Sequence, residues 1–178
     1  MIAMGSRYDR SVTRPLGFDV IEEAHRQWSV RWPEAADAMA TATSIMRAQQ
    51  MILSAVDGAL KPFGLTFARY EALVLLSFTR SGQLPLGKMG QRLMIHPTSV
   101  TNVVDRLAED RLVERMPHPT DRRATLAQIT PAGRALAEQA TGAVNQVRFG
   151  VEALTPRQMH DVVRTVRHLR LASLDFEG

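Results

Sequence analysis

Residues 112–131, which run Leu112-Val-Glu-Arg-Met-Pro-His-Pro-Thr-Asp-Arg-Arg-Ala-Thr-Leu-Ala-Gln-Ile-Thr-Pro131, constrain the fold of this chain more than any other stretch. Two strand-like runs, Val113 to Met116 and Ala124 to Ile129, flank a polar tip, which is the pattern of a β-hairpin. The tip carries His118, Asp121, Arg122 and Arg123. Directly before the hairpin, residues 97–110 read as a helix that opens on Pro97. Val100, Val103, Val104 and Leu107 form its inward stripe, and Thr98, Ser99, Thr101 and Asn102 fall on the other side of its N-terminal half. A short helix with a polar leading turn, followed by an Arg-tipped hairpin, is the sequence form of a winged helix-turn-helix.

The flanks read as long helices. Val20, Ala24 and Trp28 predict a short amphipathic helix from Asp19 to Trp32, broken by Pro33. From Glu34 to Lys61, small or apolar residues recur at Ala35, Ala38, Ala42, Ile45, Ile52, Val56 and Leu60. A helix of roughly 27 residues spans about 40 Å, more than one small core requires, so a second chain is expected against it. Thr66 caps the next helix, whose buried face is read as Tyr70, Leu73, Val74, Leu76 and Phe78. Leu84 to Leu86 is a candidate strand and Gly87 to Met94 a short helix. Thr130-Pro131 starts a helix to about Gly150, and Thr155-Pro-Arg-Gln158 is a capping box for a last helix that is apolar at Met159, Val162, Val163, Val166 and Leu169. The expected fold is mainly α with a small β-wing. Residues 1–33 form an extension with an extra helix, 34–64 and 131–178 a helical dimerisation region, and 65–130 the winged helix-turn-helix domain.

Composition narrows the function classes. Hydrophobic residues make up 45% of the 178 residues and the formal net charge is +4, so the chain buries a core and favours an anionic partner. The absence of cysteine excludes disulfides, thiolate nucleophiles and Cys-ligated metals. The five histidines are not paired at ligand spacing, no metal or cofactor is expected, and the nine methionines are expected to fill helix interfaces. No apolar run approaches the ~20 residues that cross a bilayer, and the first residues lack a signal-peptide pattern, so a cytoplasmic protein without a membrane partner is expected. No Ser-His-Asp set, paired carboxylates or Gly-rich phosphate loop points to an enzyme.

The polar turn and the wing carry chemistry suited to double-stranded DNA. Asn102 can pair bidentately with adenine, Thr98, Ser99 and Thr101 suit several base edges, and the free N–H groups after Pro97 favour a phosphate. His96 is read as the cap of this helix. Arg122 and Arg123 at a projecting tip suit a narrow minor groove, with Asp121 as their orienting partner. Arg106 and His118 complete the candidate DNA-binding set. A helical interaction module that keeps the fold without binding DNA is the alternative, against which the exposed arginine tip argues.

The segments Leu65-Thr-Phe-Ala-Arg-Tyr-Glu-Ala-Leu, Ser99-Val-Thr-Asn-Val-Val-Asp-Arg-Leu, Leu112-Val-Glu-Arg, Asp121-Arg-Arg and Ile129-Thr-Pro-Ala-Gly-Arg134 resemble successive motifs of the MarR family of transcriptional regulators. The resemblance covers roughly residues 34–174. It implies a homodimer joined through its terminal helices, two winged modules on a pseudo-palindromic site, Arg123 with Arg122 as the minor-groove contact, and release by a small ligand, often an aromatic acid. The Trp-bearing extra helix is similar to that of the urate-responsive subgroup. On that resemblance Trp28, Glu71 and Arg115 are ligand-site candidates, with Glu71 in place of the usual Asp. Val103 stands where the subgroup has a second arginine, so an anionic purine loses one charge-assisted partner here. Trp28 has a second reading, as the anchor of the extra helix.

Overall fold

The computed structural model describes residues 16–121 and 124–176. Local signals set most element boundaries. Helix α1 (Val20–Arg31) starts where the Asp19 carboxylate accepts the N–H of Ile21 at 2.8 Å, and it ends two residues before Pro33. A single 3-10 turn, Pro33–Ala35, leads into α2 (Ala36–Leu60), so the long helix starts two residues later than its sequence pattern indicates. Gly64 at φ 65° reverses the chain. Thr66 then caps α3 (Phe67–Ser77), and Asp57 of α2 accepts the Phe67 N–H at 2.7 Å, which ties the two helices together.

Strand β1 (Gln83–Pro85), helices α4 (Leu86–Leu93) and α5 (Pro97–Glu109), strands β2 (Val113–Pro117) and β3 (Thr125–Ile129), and helices α6 (Pro131–Gln146) and α7 (Pro156–Ala172) follow. The wing is more than the expected hairpin. β3 lies between β1 and β2 in a three-stranded antiparallel sheet, with Val113 opposite Ile129 and Leu84 opposite Ala127. β1 therefore fastens the wing root to the helical body.

One continuous core joins Val56 and Leu60 of α2, Leu73 and Leu76 of α3, Met89 of α4, Val100, Val104 and Leu107 of α5, Val113 of β2 and Val144 of α6. Fully burying each such side chain is worth about 1.5–3 kcal/mol, so this cluster fixes the attitude of α5. At the wing root the Thr130 hydroxyl donates to Arg111 or Leu112 carbonyls and accepts the Gly133 N–H at 3.0 Å. A Cβ on Gly133 would lie 2.1 Å from the Leu112 carbonyl oxygen, so only glycine lets α6 cross the strand so closely.

Several expectations need correction. Phe78 is 83% exposed and not part of the α3 buried face: it is the C-cap that follows Ser77, the last residue of α3, and its side chain lies in solvent. Leu86 opens α4 and does not extend β1, since Pro85 ends the strand. α6 ends at Gln146, and Gly150 belongs to a separate turn in which Arg148, Phe149 and Gly150 all have positive φ. Of the methionines, Met89 is fully buried, whereas Met46, Met51 and Met94 are exposed. Only the C-terminal part of the α2 stripe enters the core, since Ala38, Ala42 and Ile45 lie exposed. α7 buries no residue at all, and Val162, Val163 and Leu169 face outward. Among the described residues no single helix is long and apolar enough to cross a membrane.

Candidate nucleic-acid interface

Helix α5 meets the geometric needs of a reading element. His96 Nδ1 accepts the Thr98 N–H at 3.3 Å, and Pro97 occupies the first helical position, where its missing N–H costs nothing. Val100, Val104 and Leu107 are sunk in the core, with Val103 half-buried beside them. The opposite side presents Thr98, Ser99 and Asn102 to solvent. Thr101 is half-buried, and its hydroxyl donates to the Pro97 carbonyl at 3.2 Å, so it is partly satisfied within the helix. Arg106, exposed on the last turns, pairs with Glu109 at 3.0 Å, a solvated pair of small energetic weight.

Helix α4 crosses α5 closely. A Cβ on Gly90 would lie 3.1 Å from Val100 Cγ2 and 3.2 Å from the Ile95 carbonyl oxygen. With Met89 and Gly90 facing inward, Lys88 and Arg92 stand exposed one helical turn apart, with no ion-pair partner among the described residues. These two cations suit phosphate contact by the first helix of a helix-turn-helix. Their i, i+4 spacing on the polar side of a short helix is the sequence signal for this pair, which is not among the candidates drawn from sequence alone.

The wing is built to project its tip. His118 Nδ1 accepts the N–H groups of Thr120 at 3.3 Å and Asp121 at 3.1 Å, so this nitrogen carries no proton here and Nε2 holds the ring hydrogen. The His118 N–H donates to the Ala124 carbonyl at 3.2 Å, and the Ala124 N–H to the Asp121 carbonyl at 3.0 Å. Histidine therefore organises the turn as well as standing at the surface. Asp121 is exposed at the tip. Arg122 and Arg123 lie outside the described residues.

The three ligand-site candidates occupy different elements, and among the described residues no hydrogen bond, ion pair or ring contact joins them. Trp28 is half-buried on α1 and packs against Trp32 with ring centres 4.7 Å apart and planes tilted by 47°, and the Arg31 guanidinium lies 5.3 Å from the Trp32 ring centre. Arg115 of β2 ion-pairs with Asp105 of α5. Glu71 is half-buried on α3 with no hydrogen-bond partner among the described residues, and burial raises its carboxyl above the usual range. Two residues earlier on α3, Arg69 donates to the Gly64 carbonyl at 2.9 Å and ion-pairs with Asp110, just past the end of α5.

This arrangement of α4, α5 and an organised wing has known counterparts. The profile of the MarR family matches residues 65–125, from just before the α3 cap to the start of β3. The HTH-type transcriptional regulator YhbI of Bacillus subtilis is 36% identical over 110 residues, which cover 62% of this chain and 67% of YhbI. The crystal structure of Sco5413, a MarR family transcriptional regulator from Streptomyces coelicolor, is 51% identical, with a TM-score of 0.75 over 80% of this chain and 99% of that one. The chain belongs to the MarR family. CouR from Rhodococcus jostii RHA1, whose crystal structure is a complex with p-coumaroyl-CoA, is 28% identical, with a TM-score of 0.64 over 78% of this chain and 93% of that one. Membership makes this MarR-family chain a winged helix-turn-helix DNA-binding transcriptional regulator and not an enzyme.

Proposed function

We propose that this MarR-family protein is a homodimeric, sequence-specific repressor that grips a pseudo-palindromic operator and is released by a small aromatic or anionic ligand in the cytoplasm. The observation that carries the reading is the exposed polar turn Thr98, Ser99 and Asn102 on a helix whose other side is locked into the core. Thr98, Ser99, Thr101 and Asn102 read base edges. The α5 N-terminus after Pro97, Arg106, Lys88, Arg92 and the His118 Nε2–H hold phosphates, while Arg122 and Arg123, oriented by Asp121, enter the minor groove.

The homodimer is supported by apolar side chains left exposed on both terminal helical regions, Ile45 and Met46 on α2 and Val162, Val163 and Leu169 on α7. On this reading residues 34–64 and 131–178 form the dimerisation region, residues 65–130 the reading head, and residues 1–33 the extension.

The ligand reading rests on the complex of CouR with an aromatic acyl-CoA and on three residues of this chain. Arg115 already holds a carboxylate, that of Asp105 on α5. An anionic ligand that takes the Arg115 guanidinium frees Asp105 and loosens the wing from the reading helix. Burial disfavours the charged form of the half-buried Glu71 carboxyl, so it opposes an approaching anion less than an ordinary glutamate does. Trp28 offers an aromatic surface or anchors α1 on α2. These features support a ligand site related to that of the urate-responsive subgroup, with Val103 in place of one of its arginines.

Salt titration of duplex binding tests the reading. Affinity falls by about 0.9 log units per log unit of salt for each phosphate contacted, so a steep linear decline is expected. A folded dimer that shows no affinity for any duplex would establish the alternative, an interaction module that keeps the fold without DNA.

A further inference from the structure

The turn between α4 and α5 holds an unusual residue. Met94 sits at φ 54° and ψ 40°, in the left-handed region. The Ile95 N–H donates to the Gly90 carbonyl at 3.1 Å, the long closing bond of a helix end whose left-handed position is normally glycine. A Cβ at that position costs conformational energy that glycine avoids. Ile95 supplies the inward apolar contact of the turn, so Met94 is not needed for packing, and it is 78% exposed. The chain thus keeps a large apolar side chain where the fold favours glycine, three residues before the first position of α5.

We infer that Met94 reads DNA by laying its thioether side chain against a thymine methyl group in the major groove, beside the bases met by Thr98 and Ser99. The inference rests on the reading of α5 as the recognition helix. Methionine has no hydrogen-bond donor and only a weak acceptor, so it gains little from a phosphate. Among the groups a base pair presents in the major groove, the thymine methyl is the apolar one. An unbranched, polarisable side chain suits contact with a small methyl surface. Residues at the N-terminal end of a recognition helix are the ones that approach base edges.

The test uses a duplex selected from genomic DNA by the full-length protein, with single thymines replaced one at a time by deoxyuridine, which deletes only the methyl. Affinities are measured for the wild type, Met94→Gly and Met94→Ala, together with their melting temperatures. Met94→Gly is expected to melt no lower than the wild type, since glycine suits the turn, yet to bind about fourfold more weakly, the scale of one buried methyl group. One uracil substitution per half-site should weaken the wild type by a similar factor and leave Met94→Gly unaffected. A wild type that binds its site equally well with every thymine replaced overturns the inference, as does a uracil effect that persists in both variants. Failure of the wild type to select any duplex overturns the DNA reading itself and this inference with it.

Discussion

Arg115 on β2 ion-pairs with Asp105 on α5, so the wing and the reading helix are joined by charge as well as through the sheet and the core. Both side chains are only partly exposed, at 37% and 41%. Such a pair adds under about 1 kcal/mol to stability. Its larger effect is on geometry, because it ties β2 to α5, the helix proposed to read base edges. Asp105→Asn is therefore expected to leave the urea midpoint nearly unchanged and to weaken operator binding several-fold. Equal operator affinity of variant and wild type would remove the pair from the account of binding.

Gly133 and Gly142 lie on the same helix, α6, in opposite situations. A Cβ on Gly133 would collide with the Leu112 carbonyl at 2.1 Å, whereas one on Gly142 meets nothing within 4 Å. Gly133→Ala should destabilise the fold by about 1–3 kcal/mol, the range for forced overpacking, and loosen the wing root. Gly142→Ala should stabilise by about 0.4–1 kcal/mol, as for Gly→Ala at a compatible helical site. Chemical denaturation of the two variants in parallel reads both signs.

Glu71 gives the stability a pH signature. Burial raises its folded pKa, so the native state binds the proton more tightly than the unfolded chain. The stability it contributes is full below the unfolded glutamate value, about 4.3, and is lost as pH rises through the raised folded value. Glu71→Gln removes this slope. The variant should gain stability relative to the wild type as pH rises above the unfolded glutamate value of about 4.3, measured as the shift in urea midpoint. A wild type and variant with parallel pH profiles would show that the Glu71 environment does not desolvate the carboxylate.

Asn102 is exposed on the outer side of α5 and makes no contact that the core needs. Asn102→Ala should change which sequences are bound, costing about 1–3 kcal/mol at one base pair, with little effect on non-specific affinity. A uniform loss across all duplexes would assign Asn102 to the backbone instead.

Much of the fold was legible because caps are local. Asp19, Thr66, His96, Thr130 and Thr155 each bond an N–H within three residues, and each marks a helix start that the sequence pattern also located. The pairing of β1 with β3 was not legible, since it joins Leu84 to Ala127 across two helices and a strand. The break between α4 and α5 was legible, but the left-handed conformations of Met94 and Arg111 were not, because neither is the glycine that such a position usually announces. The polar face of α5 was readable from periodicity, whereas the pairing of Arg115 with Asp105 depends on how β2 returns along α5. The apolar stripe of α7 was visible as a pattern, but a pattern does not say whether its own protomer covers it, and the structure leaves Val162, Val163 and Leu169 uncovered.

The most direct test of the central claim is selection of fragments from sheared genomic DNA by the purified protein at near-physiological salt, with Arg123→Ala in parallel. An enriched inverted repeat is expected, which the variant binds about 1–3 kcal/mol more weakly, the loss of one groove contact, while remaining a dimer. A folded dimer that enriches no sequence, or an enrichment untouched by Arg123→Ala, would contradict the account of a wing-assisted, sequence-specific regulator.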